Sequence, residues 1–582
     1  MAPKGAAFAR SSGANVRNLI VRPLCALIVL ALSVPFAMSA SAQTSILGPR
    51  NTSAVGAYLA GLAALENLEA RRAASFFMQA AEKEWDNPIY VGQTFLAYLL
   101  AGQINDATSI AQHVLDLNPN DELARLTLGA VALKQRRYTS AEQILSRVPE
   151  ASLIGVTAGI MRAWTAVGDG RTSQANAILE TLGQGGFEDF LLFHRAIMAD
   201  LGGDRAAAIA LSTQAREMDP FVPRIAEANI RILANAGRFE DAQAVLDSFA
   251  EEGVEHPVVD SLRADVAAGR RPGLFAENVQ AGAAEMLHGL GTALAQDGSI
   301  ELGVGLLRLA AYLDPDSPVI ALTLGELLST FGRYEDADKL FASVPAGSPL
   351  HVTSLIRLAE NYDLEGDRNI AISRLQNLIT AYPENKEAYG VLGDLLRYDQ
   401  RWAEAARAYT GIIDRLDPPR PRDWRFYYVR GIAYERAKHW GAAEADFLAA
   451  LDLNPEHPDV LNYLGYSWVD RGENLTEALA MIERAVELAP RNGYIIDSLG
   501  WAFYKLDRIE EAIATLERAA RILPANAEIN DHLGDVYWSA GREREAMFQW
   551  RIAISVDDEG DVAERARPKL VNGLDPDAPI GD

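Results

Sequence analysis

The chain has 582 residues, 49% of them hydrophobic and 8% aromatic, which excludes a generally disordered polypeptide. It carries 54 Lys and Arg against 79 Asp and Glu, a formal charge of −25, which disfavours nucleic acid and anionic lipid headgroups as partners. A single cysteine, Cys25, excludes a disulfide framework.

In chain order, the first predicted element is a targeting segment. Lys4, Arg10, Arg17 and Arg22 form a basic region without acids, and an apolar run from Leu24 to Met38 follows, broken by Pro35. Ala40-Ser41-Ala42 then matches a small-residue cleavage site, so residues 1–42 read as a signal peptide. The run is short for a bilayer span, and an uncleaved N-terminal anchor is the alternative. Cleavage leaves a cysteine-free chain of 50 basic and 79 acidic residues.

From residue 51 a repeat takes over. Small anchors at Gly291, Gly325, Ala359, Gly393, Gly431, Gly465, Gly500 and Gly534 recur at steps of 34, 34, 34, 38, 34, 35 and 34 residues. Upstream, Gly61, Phe95, Gly129, Ala163, Ala196, Ile230 and Ala264 keep nearly the same step, with Phe95 and Ile230 breaking the small-residue rule. A fixed period of this length denotes stacked structural repeats. In the copy on Gly431, apolar spacing predicts one helix over about Trp424 to Lys438 and a second over Gly441 to Leu453. Asn454-Pro455 ends it, because proline cannot continue the hydrogen-bond ladder. Gly431 and Ala443, twelve apart, are expected where the two backbones approach closely, with Phe447 filling space between pairs. The Gly465–Ala478 interval is thirteen, which predicts a one-residue turn insertion near Glu473-Asn474.

The order Tyr427-x2-Arg430-Gly431-x2-Tyr434, Ala443-x3-Phe447 and Pro455 closely resembles the tetratricopeptide repeat (TPR), with Leu464-Gly465, Leu499-Gly500 and Leu533-Gly534 supplying its Leu-Gly pair. The resemblance implies an all-α fold, an α-solenoid of about 14 stacked helix pairs in a right-handed superhelix. The expected organisation is a signal peptide (1–42), an N-terminal TPR array (51–268), an irregular connector (269–283), a C-terminal TPR array (284–556), and a capping helix with a loose tail (557–582). The connector, which contains Gly269-Arg270-Arg271-Pro272-Gly273, reads either as a hinge or as a shifted helix within one continuous solenoid.

No motif carries catalysis: the sequence has no HExxH, GxSxG, GxxxxGK or strand-following GxGxxG, and its eight histidines are scattered. We therefore expect no enzyme, no cofactor and no metal, with the histidines in surface or packing roles. In TPR proteins the first helix of each pair lines a groove, and positions three before, one after and four after the anchor point into it. Carried onto this chain, that marks Asp394, Arg397, Tyr428, Asn462, Tyr466, Asp497, Trp501, Tyr504, Asp531, Asp535 and Trp538 as an acidic, aromatic partner-binding groove. Aromatic residues at helical spacing also pack as core, so that alternative stands beside it. An acidic groove suits a basic or apolar extended segment. The overall plan looks like that of outer-membrane TPR lipoproteins of Gram-negative bacteria, some of which are adaptors for C-terminal-processing proteases. That resemblance implies a periplasmic scaffold, peripheral to the outer membrane in one version, whose partners are other exported or envelope proteins. The chain departs from those lipoproteins by lacking a lipidation cysteine at the end of its apolar run. A component of a secretion, pilus or polysaccharide-export assembly is the alternative.

Overall fold

The structure, a computed structural model, describes residues 53–183, 188–251, 255–557 and 560–574. The expected signal peptide and the tail from residue 575 lie outside them. The described residues form an all-α solenoid of helix pairs, and each anchor lies on the first helix of its pair. The Gly431 copy, for example, is Trp424–Arg436 followed by Trp440–Leu453. Fourteen of the fifteen anchors head a complete pair; Ala264 does not. Its copy is the broken helix Pro257–Ser261 and Arg263–Ala267, after which residues 269–278 carry no helix. That missing second helix is the physical origin of the 27-residue step to Gly291.

Local sequence sets the helix ends. Asn87, Asp121, Ser152, Ser317, Asn385, Asn492 and Asn526 each cap a first helix by accepting a backbone N–H with the side chain. Second helices stop at Leu453, Leu488 and Ile522, two residues before Pro455, Pro490 and Pro524.

Most anchors are small because a large residue sixteen positions later lies on them; Ala196 with Ser212 and Ile230 with Leu246 depart from this rule. A methyl group added at Gly431 would meet the Phe447 ring at 2.7 Å, at Gly325 the Phe341 ring at 2.4 Å, at Gly393 the Tyr409 ring at 2.5 Å, and at Gly534 the Trp550 ring at 2.5 Å. These aromatics were expected between pairs; the structure places each on the glycine of its own pair. At Phe95 the sizes are exchanged, since position 111 is a fully buried alanine. A methyl group at Gly465 would instead meet Ile482, seventeen residues on, at 2.8 Å. This agrees with the expected inserted residue: Gly472 and Asn474 both adopt positive φ in that turn.

A second regularity is in the turns. Seven residues after every anchor that heads a complete pair, the backbone is left-handed, from Leu68 through Gly102, Arg136 and Gly170 to Lys438, Asp507 and Gly541. Glycine adopts this conformation without a Cβ clash, whereas other L-residues resist it.

Two compact units divide between Pro383 and Glu384, so the 269–283 stretch lies inside the first unit. Within that unit the helices Val279–Gln296 and Ile300–Leu313 pack against the first helices Pro88–Leu100, Glu122–Lys134, Leu153–Gly168 and Glu188–Leu201. Trp164 covers Gly282, and Phe190 covers Gly289. Side chains cap helix carbonyls across this contact: Gln280 Nε2 donates to Leu133 O at 2.9 Å, Arg308 Nε to Leu100 O at 2.9 Å, and Lys134 Nζ to Leu313 O at 2.8 Å. Arg224 holds Glu285 in a two-bonded ion pair at 2.9 and 2.6 Å while lying over the Phe275 ring. Although burial opposes the charge, this pairing holds the Glu285 carboxyl down at about 2. The inner helical face of the first unit is thus lined by the chain's own helices.

Lys438 is exposed and left-handed at φ +64°. Lys438→Gly is expected to stabilise the second unit by about 0.5–1 kcal/mol, because relief of the Cβ clash outweighs the added freedom of the unfolded chain. Denaturant titration checks this, and a loss of stability would show that the turn does not constrain the pair.

Candidate interaction site

In the second unit the expected groove residues lie on successive first helices: Lys386–Tyr398, Trp424–Arg436, Pro458–Arg471, Gly493–Lys505 and Ala527–Ser539. Adjacent first helices touch one another, Pro458–Arg471 on Gly493–Lys505 and the latter on Ala527–Ser539. One and four after Gly500, Trp501 and Tyr504 therefore meet the neighbouring first helix. Tyr428, Asn462, Tyr466, Asp497, Trp501, Tyr504, Asp531 and Asp535 are all buried, which corrects the expectation of an exposed aromatic stripe. Trp538 is half-buried and Asp394 is exposed.

Three clusters result. Around the buried Tyr409 phenol, Asp394 accepts from Tyr409 Oη at 2.8 Å and Arg397 Nε donates to the same oxygen at 3.3 Å. This pair orients the ring that sits on Gly393. Tyr428 packs among Trp424, Phe447 and Tyr463, with ring centroids 5.8, 6.2 and 5.9 Å away. Burial drives its phenol well above the ordinary range, so it acts as a neutral core residue. Asn462 is buried nearby on the sequence, and its Oδ1 has no hydrogen-bond partner.

The third cluster spans Gly493–Lys505, Ala527–Ser539 and a final helix, Asp561–Asn572, which packs on the last pair. Trp501 stacks on His532 at 4.1 Å with planes 20° apart, and Tyr504 Oη meets Ser539 Oγ at 2.9 Å. His532 Nδ1 lies 3.0 Å from Asp497 Oδ2, and its Nε2 lies 3.6 Å from Glu528 Oε1. Asp531, only 1% exposed, receives Arg565 Nε at 2.8 Å and Lys569 Nζ at 2.9 Å. Asp535 receives Lys569 Nζ at 2.7 Å and the Trp550 Nε1–H at 2.8 Å. Trp538 lies 5.5 Å from Trp550, and its indole packs against Gly573.

The electrostatics of this end are tightly balanced. Burial and the adjacent Asp531 carboxylate push Asp535 up to about 6, against the pull of Lys569. Burial alone would lower His532, but the Asp497, Glu528 and Asp531 carboxylates outweigh it and raise its pKa. His532 and the cations Arg565 and Lys569 were not singled out from the sequence. The available signal was their spacing: Arg565 and Lys569 are one helical turn apart, and Asp531 and Asp535 share that spacing. Elsewhere, in the first unit, His194 is fully buried among Trp164, Phe190 and Phe193, and burial lowers its pKa to about 4. Among the described residues no group of three His, Cys, Asp or Glu side chains is placed to hold a metal ion.

Models of the tetratricopeptide repeat match residues 98–152, 356–421, 391–445 and 428–493, and a TPR repeat model matches 500–541. Over 185 residues the chain is 26% identical to human tetratricopeptide repeat protein 13, covering 31% of this chain and 21% of that one. Over 89 residues it is 30% identical to a TPR repeat-containing protein of Pseudomonas aeruginosa, covering 15% of each. The chain therefore spans about a fifth or less of these relatives' length. Among solved structures it is similar to yeast Tom70, at 12% identity over 89% of this chain and 94% of that one, with a TM-score of 0.33. It is also similar to YrrB, a TPR protein with an unusual peptide-binding site, at 20% identity over 33% and 97%, with a TM-score of 0.26.

The raised pKa of His532 has a defined sign. A base that binds its proton more tightly when folded stabilises the fold fully below its ordinary value of about 6.5, and that stabilisation disappears as pH rises through the folded value. The melting temperature of the native chain is expected to fall as pH rises above about 6.5, and His532→Gln should flatten that dependence. Equal slopes in the two chains would contradict the Asp497–His532 pairing.

Proposed function

We propose that this chain, a multi-TPR protein, is a non-catalytic adaptor of the periplasm that holds other exported proteins together. Tetratricopeptide arrays serve as protein–protein interaction scaffolds, and the repeats of this chain extend over nearly all of its described residues.

The observation that carries the reading lies at the end of the second unit. Glu528, Asp531 and Asp535 gather on one helix face with Trp538, and their counter-cations, Arg565 and Lys569, arrive on a separate helix outside the repeats. A face neutralised by cations from another segment has the chemistry to receive a basic segment from a partner. A periplasmic location is supported by the basic, apolar and small-residue pattern of residues 1–42. No described helix is long and apolar enough to cross a membrane. A narrower role, as adaptor for a C-terminal-processing protease acting on cell-wall hydrolases, is supported by the plan of the sequence alone.

The test is an in-cell crosslink and pull-down of the chain carrying a C-terminal tag, read by mass spectrometry. The adaptor reading expects a periplasmic protease recovered together with cell-wall hydrolases. Secretion, pilus or polysaccharide-export components would replace that reading with an assembly role. Turnover of peptidoglycan or protein by the purified chain would overturn the non-catalytic part.

A further inference from the structure

The Asp561–Asn572 helix is held in an unusual way for a packed terminal element. Only Val562, Ala563 and Ala566 of its twelve residues are buried, and none is large. Such small side chains contribute little apolar burial. Apart from the partly buried Leu570, which packs on the core of the second unit, its grip is ionic: Arg565 Nη2 reaches Glu528 at 2.7 Å, Arg565 Nε reaches Asp531 at 2.8 Å, and Lys569 Nζ bridges Asp531 and Asp535 at 2.9 and 2.7 Å. Pro568 within the helix removes one internal donor. The helix begins at Gly560, whose φ is +85° and which nothing crowds, so its N-terminal end can reorient without Cβ strain; at the other end Gly573 lies against the Trp538 indole. Beneath it lie carboxylates that are costly to bury without cations.

We infer that the Asp561–Asn572 helix is a charge-held latch over the acidic end of the first-helix face. A partner helix with two cations one turn apart opens it by taking the places of Arg565 and Lys569. This deepens the adaptor reading and rests on it, since it names how the same face is kept closed without a partner. The occupant is a basic helical segment because the resident one is: its two cations, at i and i+4, match Asp531 and Asp535 at the same spacing. The first unit offers a contrast. The helices in contact with its inner face bury large apolar residues, among them Met286, Leu287, Leu306 and Leu309, so they are built to stay.

Two measurements on the full chain test the latch. The first is hydrogen exchange of residues 561–572 relative to the helices Ala527–Ser539 and Glu543–Ser555. A latch opens by itself, so its amides should exchange at least about tenfold faster than those of its neighbours. The gap should widen from about 0.05 M to about 0.5 M salt as the ion pairs are screened. The second is fluorescence anisotropy with a labelled synthetic peptide of residues 560–574. It should bind an Arg565→Glu/Lys569→Glu chain at least about tenfold more tightly than the native chain, whose face is covered. Equal protection of the three helices at both salt concentrations, or equal peptide binding by the two chains, would overturn the inference. If the double variant loses its helical signal, the exchange of the native chain decides alone. Neither measurement needs a cellular partner, so an empty pull-down would count against the adaptor reading and leave the latch to be judged by itself.

Discussion

The structure depends on one steric fit, repeated in most of the pairs: a small residue on the first helix receives a large residue sixteen positions later on the second. Gly431 with Phe447, Gly325 with Phe341 and Gly534 with Trp550 leave no room for a Cβ between them. This fit fixes the crossing of each pair, and the crossing fixes the turn. The left-handed residue seven after the anchor is where the chain reverses in the space that remains. Five turns accept this backbone without glycine, at Leu68, Arg136, Gln400, Lys438 and Asp507, so the pair's packing overrides a local penalty of about 1 kcal/mol at each.

Stacked pairs bring first helices side by side, and the residues buried there include carboxylates as well as apolar side chains. Once Asp497, Asp531 and Asp535 are withdrawn from water, each needs a cation or donor, because an unpaired buried carboxylate would either unfold the region or take up a proton. His532, Arg565, Lys569 and the Trp550 N–H supply them. Asp535 retains a raised pKa because burial and the neighbouring Asp531 carboxylate outweigh the pull of Lys569, which the two carboxylates share. In the first unit the same need is met by Arg224, which joins Glu285 and Glu227 and ties Val279–Gln296 to the helix Pro223–Asn235.

The anchors and helix ends were legible in the sequence because they rest on local rules. Small residues at a fixed step, capping Asn, Asp and Ser, and terminal prolines act within one repeat. Phe95 breaks the small-residue rule, but its partner position holds the buried Ala111, so the large and small members of the pair are exchanged. What was not legible is set by contacts distant in sequence. Nothing local in residues 279–313 announces that they pack on helices some 150 to 200 residues earlier, as Gln280 does on Leu133 and Arg308 on Leu100. For Trp501 and Tyr504 the sequence left groove and core both open for the same reason: their burial comes from the next first helix, through His532 and Ser539. The acidic character was read correctly, but its counter-ions lie some thirty-five residues on, in a helix outside the repeat.

The central claim is that paired volumes, rather than glycine as such, hold each repeat together. The direct measurement is a double-mutant cycle that gives the Gly431 pair the arrangement of Phe95 and Ala111. Gly431→Phe and Phe447→Ala are each expected to destabilise the second unit by about 2–5 kcal/mol, the first by overpacking and the second by leaving a cavity. Combined, they should recover at least about 1–3 kcal/mol of that loss as coupling. Losses that simply add would contradict the account, because the two positions would then not share one space.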